Sequence, residues 1–489
     1  MIITFGAVTI FFLAITTILQ FSQIGDKTFA NYAVGNRSFD ARYQAMSFLN
    51  TWYPGAIFTA FGGMAASSGI ISFYLLSYSL LTVVLMYLIA KPVWVWGKTF
   101  DLRTQADLFA LRYDSRHIRT IAAVIGIVSG FPWLVLGMLS LGVLFHYLSL
   151  RTLSLPSAVL VGIGVITLRQ IWTIRLGMRG VVISDFFQGL VAYGAGTILL
   201  VGLIAWLVLS KGITFASLDS GMLVLPGLSS KEGALYLFSL ILTGTIGGWC
   251  WPAIFVRLFT ADSVRSLRKS AAIAVPISLL FASSLLIFAM LGSKIPSVSA
   301  HPSDVWFIVS QEAGGQWLLS LAGVVVLAAS MGNIDGHIQA TGTQLANDLA
   351  GNYLNLSQRQ LILVAKIGMV LLTLFAAWLS CLELPALVSI AIIAYQGIVQ
   401  LAVPQFLGIF WKRGTKQGAI AGMVAGFIVV LLLEYHSPNS LPWACGLTSG
   451  VIALAINAVI YVGAAYLLPM PHEERRRVDA LFARIASHP

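Results

Sequence analysis

Runs of about twenty apolar residues recur along this chain, separated by short stretches that hold most of its Lys, Arg, Asp and Glu. A helix rises about 1.5 Å per residue, so roughly 20 apolar residues cross the hydrocarbon core of a bilayer. Thirteen such runs stand out, at about 3–23, 45–66, 70–91, 119–147, 154–172, 181–209, 234–256, 271–293, 316–346, 360–380, 386–410, 417–435 and 444–468. Backbone polar groups cannot stay unpaired in lipid, so unbroken apolar runs of this length predict spanning α-helices.

Two of the runs are interrupted near their centres. The second reads Asn50-Thr51-Trp52-Tyr53-Pro54-Gly55, and the seventh reads Gly247-Gly248-Trp249-Cys250-Trp251-Pro252. Proline removes a donor and glycine loosens the backbone, so either stretch alone reads as a packing kink. The two breaks lie five spans apart, each opening a set of five helices. An odd number of helices turns the second set over relative to the first. Matched breaks in inverted repeats predict a transporter with its site at the midplane.

Composition strengthens the membrane reading. Of the 489 residues, 58% are hydrophobic and 10% charged, against about 45–50% and about 25% in soluble domains. This predicts one transmembrane domain over 1–470, its core over about 45–410, and a short cytoplasmic tail over 471–489. The net charge of +11 reads as basic loops facing the cytoplasm, not as a nucleic-acid surface. With the N-terminus outside, only Arg151, Lys211, Lys231 and Lys294 fall on the outer side. The other 25 of 29 Lys and Arg fall inside. The orientation is therefore N-out, C-in, in the plasma membrane. Cys250, Cys381 and Cys445 lack metal-site spacing and read as buried free thiols. No phosphate-binding glycine loop supports ATP-driven pumping, and no nucleophile–base pair suggests an enzyme.

Several polar residues interrupt the apolar runs. Asp335 lies inside the ninth run, where an ionisable group is a candidate for an ion pathway. Asn333 and Gly332 offer an amide oxygen and bare backbone nearby, and oxygen donors suit a hard cation such as Na⁺. Asp185 and Gln188 open the sixth run and share one helix face, so they read either as a helix cap or as groups lining a cavity, where they join Asp335 as candidates for the ion pathway. Arg257 reads as an anchor at the inner end of the seventh run. Gly418, Gly422 and Gly426 repeat a close-packing spacing.

The chain resembles the solute:sodium symporter family from about residue 25 to about residue 430. The likeness rests on Tyr32-Ala33-Val34-Gly35-Asn36-Arg37-Ser38, on Arg179-Gly180 followed by Asp185 and Gln188, and on Ala328–Ala350 ending Gln344-Leu345-Ala346-Asn347-Asp348-Leu349. Within the family it looks most like the monocarboxylate permeases, through Phe58-Thr59-Ala60-Phe61, Gly248-Trp249 with Trp251-Pro252 and Arg257-Leu258-Phe259, and Ala340-Thr341-Gly342-Thr343. The resemblance implies an all-α, leucine-transporter-type core of ten helices. It places a sodium site on the carbonyls of Thr51, Pro54 and Ala329 and on positions 332 and 333. Gly332 and Asn333 stand where the family usually carries hydroxyls. Solute is expected among Trp52, Tyr53, Gly55, Pro132, Trp133, Gly248 and Trp249. The implied function is alternating-access symport of a small organic solute, a monocarboxylate or other organic acid among the candidates. Na⁺ is the expected driver. The alternatives are a proton, through Asp335, or a sensor that keeps the fold without coupling.

Overall fold

The computed structural model of the protein describes residues 1–22, 28–227, 230, 233–382 and 387–488. Lys231, assigned to the outer side above, lies outside the described residues. The described chain is helical throughout, with two isolated β-bridges. In order the principal helices are α1 (Ile2–Phe21), α2 (Ala41–Trp52), α3 (Ile57–Ser68), α4 (Tyr74–Thr99), α5 (Gln105–Tyr113), α6 (Arg116–Leu148), α7 (Leu155–Leu176), α8 (Met178–Gly189) and α9 (Gly196–Lys211). Then come α10 (Tyr236–Gly247), α11 (Pro252–Phe255), α12 (Val264–Gly292), α13 (Val305–Gln344), α14 (Gln358–Ser380), α15 (Leu387–Ile398), α16 (Lys416–His436), α17 (Ser449–Leu467) and α18 (His472–Ala486).

Polar residues at the edges of the apolar runs start these helices. The side chains of Ser115, Ser154, Ser263, Ser357 and Thr415 each accept a hydrogen bond from a first-turn amide of α6, α7, α12, α14 and α16, satisfying donors that the helix itself leaves free. Eleven helices among the described residues are long and apolar enough to cross a membrane, or twelve with the bent pair at residues 236–260 taken as one span. The thirteen-run reading divides the chain more finely. Its second and third runs meet in one 43-residue stretch, Ile57–Thr99, joined through a tight turn at Gly69–Phe73.

Both predicted breaks are present. α2 stops at Trp52 and α3 starts at Ile57, with Tyr53 in a non-helical conformation (φ −104°, ψ 89°). The seventh run bends by 57° between Cys250 and Pro252. Central helices differ from peripheral ones in what covers them. The apolar stretch of Pro302–Tyr353 is 78% buried within the protein, whereas that of Ser449–Leu467 is 22% buried. α13 therefore runs through the middle of the bundle. It is kinked at Gly314 and Gly315, the latter at φ 57°, which is why its sequence signal begins only at 316. The glycine repeat of α16 meets α17 at close range. A Cβ at Gly418 would lie 2.9 Å from that of Ala464.

The tail forms an amphipathic helix docked on the bundle. Trp96 donates its indole N–H to the Leu481 carbonyl at 2.9 Å. Arg477 reaches the carbonyls of Leu111 (2.6 Å) and Arg112 (2.9 Å) at the end of α5. The three thiols divide. Cys250 is buried in the second break, but Cys381 and Cys445 are exposed at helix and loop ends, which corrects the expectation that all three are buried.

Candidate functional site

The two breaks face one another across a small cavity inside the bundle. Thr51, Trp52, Tyr53 and Pro54 from the first break line it with Trp251 and Ile254 from the second, and α6, α13 and α15 contribute Trp133, Asn333 with His337, and Tyr395. Its free volume is about 20 Å³, room for a single water. A solute can enter only when these walls part.

Of the expected solute residues, the cavity brings together Trp52, Tyr53 and Trp133. The others stand elsewhere. Gly55 packs its backbone on α13, where an added Cβ would come within 2.8 Å of the Val326 carbonyl. Gly248 lies against Trp52 and Thr82. Trp249 is fully buried behind the wall, stacked on Phe48 at 5.6 Å and donating to the Thr82 carbonyl at 2.8 Å. Pro132 sits within α6 and does not line the cavity. The second break presents Trp251 instead, because the tight turn at Gly248–Cys250 swings the chain before Pro252. Trp251 stood in the sequence beside the break. Tyr395 had no local signal.

The expected cation residues are only partly gathered. The Thr51 carbonyl has lost its helical partner to the break and accepts the Asn333 side-chain amide N–H at 2.7 Å. The Asn333 amide oxygen is buried without a partner. An orphaned oxygen beside a carbonyl freed by a helix break is the donor chemistry a hard cation takes, so these two residues fit Na⁺. The Pro54 carbonyl is engaged in its own turn with the Ile57 amide at 2.9 Å, and Ala329 lies fully buried inside α13. Gly332 turns towards a different group. A Cβ there would overlap the Asn50 side-chain amide and lie 2.8 Å from an Asp185 carboxylate oxygen. Restoring a hydroxyl with Gly332→Ser is therefore expected to lower the melting temperature and the uptake rate, since Asn50 must give way. A gain in Na⁺ affinity at unchanged stability would contradict this packing.

Sequence reading missed what surrounds the buried acids. Asp185 lies two turns inside α8, fully buried, so it does not cap that helix. It accepts from Ser47 (2.6 Å) and from Asn50 (3.1 Å), and Asn50 also donates to Gln188 at 3.0 Å. Arg257 is the largest correction. It is 2% exposed, and its guanidinium donates to the Thr51 hydroxyl at 2.8 Å and pairs with Asp185 at 3.3 Å. It is no surface anchor, because a buried carboxylate requires a partner charge. Asp335 is likewise fully buried, paired with Arg169 at 2.7 Å and held by Gln170 at 2.7 Å. Arg169, one of the 25 basic residues assigned above to the inner side, is fully buried and also donates to Thr173 and Ser184. The loop motif Tyr32–Ser38 is a fastening. Arg37 ties it to the carbonyls of Phe259 (3.1 Å) and Leu102 (2.9 Å) and to Asp101.

Two facing helix breaks around an internal cavity, with a freed carbonyl against the central helix, are the layout of a secondary transporter core. The sequence model of the sodium:solute symporter family matches residues 32–426, and the chain belongs to that family. It is a multi-pass membrane transporter, not an enzyme, and its family supports Na⁺ as coupling ion. An uncharacterized symporter of Bacillus subtilis, YhjB, is 22% identical over 460 residues, covering 90% of this chain and 92% of its own. The monocarboxylic acid transporter of Corynebacterium glutamicum is 21% identical, covering 87% and 82%. Among solved structures, the substrate-bound outward-open Na⁺-coupled sialic acid symporter shares the fold at a TM-score of 0.75 and 16% identity, covering 96% of this chain and 97% of that one.

Proposed function

We propose that the protein uses a Na⁺ gradient to accumulate a small organic solute, with a monocarboxylate or other organic acid as the first class to test. The observation that carries this reading is the shared cavity of the two breaks, with Asn333 and the Thr51 carbonyl on its rim. Solute and cation would then bind on opposite sides of one segment around the first break, 51–56, so that filling one site orders the other. The contact between Asn333 and Thr51 joins α13 to this segment and is where rocking of the bundle would be felt. A carboxylate end has a partner in the Trp133 indole N–H, which is buried without an acceptor. The name of the Corynebacterium relative favours the same class.

The test is uptake by purified protein in proteoliposomes under an inward Na⁺ gradient, with K⁺ as control and with a pH gradient alone. Concentrative, saturable uptake that collapses when the Na⁺ gradient is dissipated is the expected result. Uptake driven by the pH gradient without Na⁺ would assign the proton. A solute that binds and is never accumulated would mark a sensor.

A further inference from the structure

We infer that the solute carries an alkylated ammonium group, held in a box of aromatic rings. This inference rests on the transport reading for its cavity and adds the chemical class of the cargo.

Three rings lining the cavity stand at right angles to one another. Trp133 and Trp251 are 6.2 Å apart at 87°, Trp133 and Tyr395 6.0 Å apart at 89°, and Trp251 and Tyr395 5.2 Å apart at 89°. Planes in this relation form the corner of a box. Trp52 and Tyr78 extend the wall, with Tyr78 set at 65° to Tyr395. Ring faces carry negative charge density, and several around one point attract a cation that is too bulky or too alkylated to hydrogen-bond. Among the described residues, no Asp, Glu, Lys or Arg side chain lines this cavity. Apart from His337, a bare anion would thus meet π faces and the single Trp133 N–H, with no Lys or Arg to hold it. Two polar atoms next to the box lack partners, the Trp133 indole N–H and the Asn333 amide oxygen. The oxygen adds to the attraction for positive charge. The N–H asks for an acceptor at the other end of the solute, which either a carboxylate or a hydroxyl would supply. The rings come from α6, α15 and both breaks, so loading that parts the helices opens the box as a unit.

The test compares ammonium solutes with carbon isosteres of the same shape. Binding to the purified full-length protein is measured by calorimetry for glycine betaine against 3,3-dimethylbutanoate, and for choline against 3,3-dimethylbutan-1-ol. At least one ammonium solute is expected to bind tenfold or more tightly than its isostere, and the better of the two identifies the acceptor end. In Tyr395→Leu, which keeps apolar bulk, that ratio is expected to fall to within about threefold, with the melting temperature confirming a folded protein. Isosteres binding as tightly as the ammonium compounds, or no binding by either ammonium compound, would overturn the inference. The two readings fail separately. An ammonium solute that binds but is never accumulated sinks the transport proposal and leaves the box intact. Accumulation of a plain carboxylate with no ammonium binding does the reverse.

Discussion

Replacing Asp335 with alanine is expected to cost about 3–5 kcal/mol of stability, because it strands the Arg169 guanidinium, fully buried, without its counter-charge. The Gln170 amide loses its acceptor as well. The expected readout is a large fall in melting temperature in detergent and a matching loss of protein recovered from membranes. Removing both charges tests the cause. Arg169→Met with Asp335→Leu fills the same space with apolar groups, and such double replacements are often neutral or stabilising. Recovery of most of the lost stability in the double variant is therefore expected. If the double variant melts as low as Asp335→Ala, the pair is not what stabilises this region.

The second large effect falls on coupling. Asn333→Leu removes the side-chain amide that donates to the Thr51 carbonyl, together with the orphaned oxygen beside it. A buried carbonyl left unpaired costs about 1–3 kcal/mol. Functionally, the initial rate of uptake should lose its stimulation by Na⁺. A normal Na⁺ response in this variant would move the cation site away from Asn333.

The path from sequence to site was uneven, for identifiable reasons. The spans were legible because lipid demands long apolar runs, and the breaks were legible because Pro54 beside Gly55, and Pro252 just after Gly247 and Gly248, weaken a helix at one point. Asn333 was legible as a polar residue inside an apolar run and again through its place in a family pattern, and the structure sets it against Thr51. Arg169 and Arg257 were misread because a basic residue near the end of an apolar run looks like any loop anchor. Their partners are 166 and 72 residues away, and no local pattern reports a contact of that range. Trp249 was chosen over Trp251 because both flank the same break. Which indole faces the cavity depends on how the tight turn at Gly248–Cys250 directs the chain, and residue types do not encode that direction. Gly332 was expected beside the cation, but the missing side chain serves to admit Asn50 and Asp185.

The two buried ion pairs have an electrical consequence. Asp185 with Arg257, and Asp335 with Arg169, each sum to zero charge within one contact. A membrane potential does work only on net charge displaced across it, about 2.3 kcal/mol per elementary charge per 100 mV. If each pair moves as a unit, the empty carrier can reorient with almost no charge movement from these four groups. The voltage dependence of the cycle then belongs to the steps that carry cargo.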